Sequence, residues 1–219
     1  MSPNTQLPLP LSYKTDYTKE DFLMADCYTE VMRWLSIYPN WYHHIFLILG
    51  SAGSGKTHIA KMFTPHIYKA KDLTFEDIIY MPNLCAVEDI DEVGVDEKLL
   101  FHLYNYTAEK NKKVLMTARA MPLWKLPDLK SRMNIVPVGK ITQPDDKMMM
   151  MLILKEITER QLDIDSGVIE FVLKHTERSF PAIQSFIENI LKLSLAQKRK
   201  ITIPLAKEAL IFTKQEKLI

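Results

Sequence analysis

The hydrophobic pattern of the chain alternates between short apolar runs and longer amphipathic stretches. Each apolar run is bounded by polar or charged residues, as the buried strands of a parallel sheet are. Four runs predict strands in this way: HIFLILG (44–50), LCAVEDI (84–90), KVLMTA (113–118) and NIVPVG (134–139). The interval between Thr57 and Leu84 has room for another helix and another strand. Strands that alternate with helices imply right-handed crossovers, so we predict an α/β fold with a five-stranded parallel sheet.

Apolar residues at helical spacing separate these strands and dominate the chain after Gly139. In the first part of the chain, helices are predicted for residues 18–38, 55–63 and 96–110. In the second part, helices are predicted for residues 143–162, 163–176, 179–197 and 202–212. The pattern therefore divides the chain into an extended arm (1–14), an α/β domain (15–142) and a small all-helical lid domain (143–219).

The nine residues GSAGSGKTH follow the first apolar run and open a predicted helix. Gly50, Gly55, Lys56 and Thr57 match every defined position of the phosphate-loop pattern G-x-x-x-x-G-K-[ST]. Glycines allow backbone N–H groups to approach a phosphate, the lysine carries charge to the terminal phosphates, and the threonine hydroxyl can bind Mg²⁺. The residues predicted to hold the nucleotide are Gly50, Ser51, Ala52, Gly53, Ser54, Gly55, Lys56 and Thr57.

An acidic pair ends the second apolar run. A phosphate loop needs an acid on another strand to hold Mg²⁺ or its water and to orient an attacking water. We therefore predict that Glu88 assists the metal together with Thr57, and that Asp89 polarises water. The alternative is that both acids are only a polar exit from the strand.

The spacing of the strands predicts two further functional residues. If the strand VLMTA lies between the phosphate-loop strand and the acidic strand, Thr117 becomes a polar sensor near the terminal phosphate. Arg132, in LPDLKSRM, is predicted to follow a loop just before the fifth strand. From there it would point away from its own nucleotide and could reach a neighbour's γ-phosphate as an arginine finger acting in trans. The alternative for Arg132 is an ordinary surface salt bridge.

Composition and charge narrow the class of protein. The net charge of +1 gives no electrostatic bias towards nucleic acid or an anionic membrane. The two cysteines have no framework spacing, which favours a reducing compartment. No apolar run approaches the roughly 18 residues of a membrane span, and no signal peptide opens the chain. We therefore expect a cytoplasmic protein that does not bind membranes.

Five segments together resemble the AAA+ module of the bacterial DnaA-type proteins, and among these the Hda family of DnaA-homologous regulatory inactivators. The segments are LILGSAGSGKTHIA, CAVEDID, VLMTARAMP, LPDLKSRM and AQKRKITIPLAKEAL. The resemblance runs from about Gln6 to Leu210. It implies an AAA+ fold that binds ADP or ATP with Mg²⁺ and has a role in regulating the initiation of DNA replication.

The same resemblance implies two partners. QLPLP (6–10) is similar to the peptide with which Hda-type proteins bind the sliding clamp of the replicative DNA polymerase, with Gln6 fixing the register and Leu7 and Leu9 as apolar anchors. The other partner is DnaA, whose bound ATP would be hydrolysed with the help of Arg132. DnaA's separate helix-turn-helix domain has no counterpart in this sequence, so direct sequence-specific DNA binding is not expected. A homodimer is compatible with the resemblance.

Two departures from the AAA+ pattern bear on the chain's own ATP turnover. The lid position that usually carries an arginine towards the nucleotide holds Pro181, and the nearest arginine is Arg178, one turn earlier. Arg119 stands where DnaA-type sensors often have Asp. These departures favour a regulator of DnaA over an efficient ATPase. The alternatives are a helicase loader or replication adaptor that uses its own ATP and, less favoured because the lid has few arginines, a P-loop kinase for a small metabolite.

Overall fold

The computed structural model describes residues 22–159 and 164–216. Within these residues, five strands form one sheet: β1 (Ile45–Leu49), β2 (Ile67–Lys69), β3 (Leu84–Glu88), β4 (Lys113–Ala118) and β5 (Val138–Lys140). All pairs are parallel and the strand order is β2-β3-β4-β1-β5. The predicted five-stranded parallel sheet is confirmed, with β4 between β1 and β3 as the spacing indicated. The predicted arm, with Gln6, Leu7 and Leu9, lies outside the described residues.

Helices surround the sheet and form the C-terminal part of the chain. Those of the sheet domain are α1 (Thr29–Ser36), α2 (Lys56–Phe63), α3 (Phe75–Tyr80), α4 (Glu97–Glu109) and α5 (Pro127–Met133). Those of the segment predicted as the lid are α6 (Asp146–Glu159), α7 (Ser166–His175), α8 (Phe180–Gln197) and α9 (Ile203–Glu216). Within the described ranges, no helix is both long enough and apolar enough to span a membrane.

Three local predictions from the sequence differ from the structure. The helix predicted from residue 18 begins only at Thr29, after a short 3₁₀ turn. The last strand begins four residues later than predicted because residues 134–136 are turns that close α5, with Ile135 N donating to the Arg132 carbonyl. Arg132 was predicted to follow a loop, and this was wrong: it lies in the last turn of α5, whose first helical residue is Pro127.

Alternating residues of β1 serve the two faces of the sheet. Ile45 and Leu47 belong to the core under α3, α4 and α5, whereas Phe46 and Ile48 belong to the core under α1 and α2. The helices α6 to α9 have a third core of their own. Met148 and Phe180, from α6 and α8, join the core under α1 and α2. The lid helices therefore have an independent interior and touch the sheet domain through a few side chains.

Both cysteines are buried as reduced thiols. Cys85 is fully buried in β3 and Cys27 is nearly so. Burial raises the pKa of Cys85 to about 12 and that of Cys27 to about 11, so almost no thiolate forms near neutral pH.

We expect neither thiol to react with a disulfide reagent at pH 8 in the folded protein, and both to react in urea, where burial no longer suppresses the thiolate. Absorbance of the released thiolate measures both reactions. Rapid reaction of one thiol under native conditions would contradict the packing described for that cysteine.

Candidate nucleotide-binding site

The phosphate loop connects β1 to α2 and has the backbone shape that its glycines permit. Gly53 and Gly55 have φ values of +70° and +85°, in the left-handed region that side chains disfavour. The helix α2 begins directly after Gly55, at Lys56. The first N–H groups of a helix lack intrahelical partners and carry a partial positive charge, so the loop and the start of α2 together fit an anionic phosphate.

Two polar side chains of the loop are buried. The Lys56 ammonium donates to the Gly50 carbonyl at 2.6 Å and to the Ser51 carbonyl at 2.9 Å. Burial lowers the pKa of Lys56, while the carboxylates of the acidic strand oppose the shift. Ser54 Oγ is buried and has no hydrogen-bond partner among the described residues. An unpartnered hydroxyl inside a loop of this shape is an observation that fits a polar ligand.

The acidic pair lies at the carboxyl end of β3, two strands from the phosphate loop. Glu88 is buried, and its Oε1 atom has no hydrogen-bond partner within the part of the chain that the structure describes. Its Oε2 atom is 3.1 Å from Lys69 Nζ, and Asp89 Oδ2 is 2.6 Å from the same nitrogen. The two acids predicted for the metal and for water therefore share one ammonium, which the sequence did not reveal.

Thr117 holds the backbone of the acidic pair. It is buried near the end of β4, and its Oγ1 accepts a hydrogen bond from Asp89 N at 3.2 Å. Asp89 has a φ of 58°, which is unusual for a residue with a side chain. The bonds from Asp89 N to the Thr117 hydroxyl and from Ile90 N to the Thr117 carbonyl fix this turn. The predicted sensor is thus in direct contact with the predicted water-polarising acid.

A cavity of about 500 Å³ opens beside the acids. Its lining residues are mostly charged: Lys71, Asp89, Asp91, Glu92, Val93 and Arg119. The backbone N–H of Arg119 donates to Asp91 Oδ2 at 3.0 Å. Arg119, the residue that stands where DnaA-type proteins often have Asp, directly follows β4. It therefore lies beside the acidic residues at the carboxyl end of the sheet.

The lid contributes a side chain at the phosphate loop that sequence analysis missed. A Cβ atom placed on Gly53 would lie 2.3 Å from Gln184 Oε1, so this amide of α8 lies against the loop. Pro181 lies in the first turn of α8. Arg178, predicted to bind the cofactor, pairs with Asp146 at the start of α6, with Nε 2.8 Å from Oδ1 and a second bond of 2.8 Å to Oδ2.

Aromatic side chains pack beside the loop on the face that carries α1 and α2. The rings of Phe22 and Tyr28 are 4.7 Å apart, and Phe22 contacts His58 edge-on at 5.2 Å. Tyr28 also approaches Phe180 of the lid, at 6.3 Å. A Cβ on Gly55 would lie 3.4 Å from Tyr28 Oη, so these rings flank the loop directly. The sequence gave no spacing signal for this group, because its members come from three distant segments.

Arg132 lies at the opposite end of the sheet. Its guanidinium is 5.1 Å from the centre of the Phe101 ring and 5.3 Å from that of Tyr104, both on α4. The Tyr104 hydroxyl is 3.1 Å from Nε2 of His43, which precedes β1. In a parallel sheet the amino ends of the strands share one edge, and the phosphate loop follows the carboxyl end of β1. Arg132 is therefore far from its own phosphate loop and is exposed on the surface.

The surroundings of Arg132 contain a second half-buried histidine. His44 stacks on His43 with ring centres 4.3 Å apart and contacts Tyr104 edge-on at 4.5 Å. Burial lowers the pKa of His44 to about 4, with smaller contributions from the charges of His43, Lys113 and Arg132. The guanidinium therefore lies over the Phe101 and Tyr104 rings, and burial lowers the pKa of both imidazoles beside Tyr104, so they add no positive charge at neutral pH.

The structure thus brings most of the predicted site residues together and leaves two of them elsewhere. The phosphate loop, Glu88, Asp89 and Thr117 meet at the carboxyl ends of β1, β3 and β4. Arg132 is alone at the other edge, and Arg178 is paired within the lid. The residues that sequence analysis missed, Lys69 and Gln184, both reach the first group from elements whose type was predictable but whose contacts were not.

Comparisons with known proteins extend this description. Residues 145–210 match the family model "Hda, lid domain". An uncharacterized protein of Haemophilus influenzae is 24% identical over 94% of this chain and 99% of its own length. The chromosomal replication initiator protein DnaA of Flavobacterium psychrophilum is 26% identical over 74% of this chain, and the match spans 40% of that initiator.

Solved structures agree with these relatives. Domain III of the Thermotoga maritima initiator DnaA superposes with a TM-score of 0.72 at 16% identity, covering 91% of this chain and 98% of that one. DnaA from Aquifex aeolicus, solved with AMPPCP bound, gives a TM-score of 0.61 at 20% identity over 83% of this chain and 66% of that one. The chain therefore has a DnaA-like AAA+ fold and is similar to DnaA, and its residues 145–210 resemble the lid domain of Hda.

Proposed function

We propose that this chain binds an adenine nucleotide with Mg²⁺, docks on the polymerase sliding clamp and stimulates the hydrolysis of ATP bound to DnaA. The initiator would thereby be inactivated after replication starts. The observation that carries the proposal is the position of Arg132, which is exposed at the edge of the sheet opposite the chain's own phosphate loop. Regulation of replication initiation on the bacterial chromosome would place this protein in the cytoplasm.

Nucleotide binding is supported by the shape and chemistry of the loop. Its left-handed glycines, the start of α2 and the buried Ser54 hydroxyl fit a polyphosphate. Thr57 and Glu88 would hold Mg²⁺, and the unpartnered Oε1 of Glu88 is the kind of oxygen that this hard cation prefers. The ion would neutralise phosphate charge. A DnaA relative of the same fold was solved with AMPPCP, which supports ADP or ATP as the nucleotide.

Action in trans follows from where Arg132 lies. Charge accumulates on the γ-phosphate during hydrolysis, and an arginine supplied by a neighbouring subunit can stabilise it. Arg132 is held by ring contacts with Phe101 and Tyr104 and is not among the described ion pairs, so its guanidinium is available for a phosphate. In this arrangement DnaA supplies the ATP and its catalytic water, and this chain supplies the missing charge.

The lid supports a regulator more than an efficient ATPase. Arg178 makes two bonds to Asp146, and α8 brings the neutral amide of Gln184 to the loop. A neutral amide stabilises less negative charge than an arginine does. The chain would therefore hydrolyse its own bound nucleotide slowly. The bound nucleotide would serve mainly to fix the lid relative to the sheet.

Clamp docking is assigned to the arm on its sequence alone. Pro8 and Pro10 restrict QLPLP to extended conformations, which lowers the entropy lost on binding a groove. Leu7 and Leu9 would fill apolar pockets while the Gln6 amide fixes the register.

Replacing Lys56 with Ala should weaken ADP binding about tenfold or more, because each tenfold corresponds to about 1.4 kcal/mol and a charged hydrogen bond contributes at least this much. Calorimetric titration measures the affinity, and far-ultraviolet circular dichroism checks the fold. Lys61→Ala, an exposed lysine later in α2, is the matched control. Unchanged ADP affinity in Lys56→Ala would reject the phosphate-loop assignment.

Replacing Gln6 and Leu7 together with Ala should weaken clamp binding about 100-fold, since extended peptides depend on a few anchor residues. Surface plasmon resonance on immobilised clamp measures this, and ADP affinity should stay constant. The paired control changes Asn4 and Thr5 in the same arm. If both double variants bind the clamp as the wild type does, the arm is not the docking peptide.

Replacing Arg132 with Ala should reduce the stimulation of DnaA-bound ATP hydrolysis at least about tenfold, because fingers supplied in trans contribute 10³–10⁵ in rate in GTPases. ADP and clamp binding should be unaffected. The assay is single-turnover hydrolysis of ATP preloaded on DnaA, with DNA-loaded clamp and each variant.

Two controls sharpen this assay. Lys130→Ala removes another exposed cation from α5 and should stimulate normally, whereas Arg132→Lys should recover only part of the rate. Equal stimulation by wild type and Arg132→Ala would refute the finger. If no variant stimulates while the chain alone hydrolyses ATP rapidly, the helicase-loader function takes its place.

A further inference from the structure

Lys69 is the last residue of the edge strand β2 and stands in register with Glu88 of β3. Its ammonium nitrogen is 3.1 Å from Glu88 Oε2 and 2.6 Å from Asp89 Oδ2. One cation therefore bridges the two carboxylates that lie at the end of the acidic strand.

The two carboxylates depend on this ammonium to different degrees. The Glu88 side chain is only 3% exposed and its other oxygen has no partner within the described residues, whereas the Asp89 side chain is 32% exposed. A buried carboxylate that loses its counter-charge is strongly destabilised.

A divalent cation bound at Oε1 of Glu88 would share that carboxylate with Lys69, which holds its other oxygen. Mg²⁺ is bound through one or two carboxylates, directly or through its water, and requires near-octahedral geometry. Lys69 Nζ occupies the hydrogen-bonding positions of Glu88 Oε2 and Asp89 Oδ2, and two cations this close together repel each other. The Lys69 side chain is 47% exposed, so it can turn outward into water.

The neighbouring lysines Lys71 and Lys56 do not replace Lys69 as the direct counter-charge of Glu88 and Asp89. Lys71, two residues later, pairs with Glu92 at 3.4 Å and leaves the acidic pair to Lys69. Lys56 interacts with Asp89 and Glu88 only through longer-range charge, because its ammonium donates to the carbonyls of Gly50 and Ser51 in the loop.

We propose that Lys69 is a built-in counter-ion that competes with a divalent metal for Glu88 and Asp89, so that metal binding requires Lys69 to leave. The functional meaning of this inference rests on the proposed nucleotide site. The competition would weaken the binding of Mg²⁺ beside the chain's own nucleotide and so slow the hydrolysis of that nucleotide. Lys69 is a positioning residue here: it acts through the two carboxylates.

The test uses Mn²⁺ as a probe, followed by electron paramagnetic resonance, with the full chain alone and with saturating ADP. Lys69→Met retains the apolar stem and removes the charge, and should raise Mn²⁺ affinity about tenfold, equivalent to about 1.4 kcal/mol. Lys69→Arg keeps the charge and should stay near the wild type. Lys71→Met is the matched control and should not change the affinity.

A second measurement on the wild-type chain does not depend on any variant folding. Acetylation of individual lysines is followed by mass spectrometry with and without Mn²⁺. We expect Lys69 to be acetylated faster when Mn²⁺ is added, because release from the carboxylates exposes its amine, while Lys71 keeps its rate.

The outcomes separate this inference from the proposed function. Equal Mn²⁺ affinity in wild type and Lys69→Met, or a Lys69 acetylation rate that Mn²⁺ does not change, overturns the competition. Should Lys69→Met fail to fold, the acetylation rates decide. Failure of the wild type to bind ADP would count against the proposed nucleotide site, and the titration without ADP would still decide the role of Lys69.

Discussion

The parallel register of β1, β3 and β4 is the constraint on which the nucleotide site depends. Because these strands are hydrogen-bonded side by side in one direction, their carboxyl ends lie at one edge of the sheet. Residues far apart in sequence, in the phosphate loop, after β3 and at the end of β4, are thereby brought together. The bond between Asp89 N and the Thr117 hydroxyl shows how closely this register aligns two of the ends.

Opposite edges of the same sheet carry unlike chemistry. The carboxyl edge combines a buried and a partly exposed acid, one ammonium and a loop suited to phosphate, whereas the amino edge presents an exposed guanidinium over two aromatic rings. A nucleotide bound at the phosphate loop would thus be out of reach of Arg132, which could contact only a nucleotide bound by another protein. That separation favours a protein that acts on a partner's chemistry.

The sequence predicted the elements better than their contacts. Periodicity and the phosphate-loop spacing were enough for the sheet, the order of β1, β3 and β4, and the loop itself, because these follow from local pattern and from the rules for crossovers. The interval between Thr57 and Leu84 was predicted to have room for a helix, but the position of α3 was not predicted although Thr74 and Asp77 form a capping box, since its six residues are too few for a clear period. The Lys69 and Arg178 ion pairs depend on how separate elements pack, and no spacing along the chain records that.

The position of β1 between β4 and β5 has a consequence for how the chain folds during synthesis. Ile45 pairs with Val114 on one side, and Leu47 pairs with Val138 on the other, so β1 has no neighbour until β4 has left the ribosome and lacks its second neighbour until β5 follows. Helices α6 to α9 make their contacts within one short stretch of chain, and contacts that are local in sequence generally form faster than distant ones. The phosphate loop, which lies early in the sequence, therefore acquires its supporting strands only when β5 has been made.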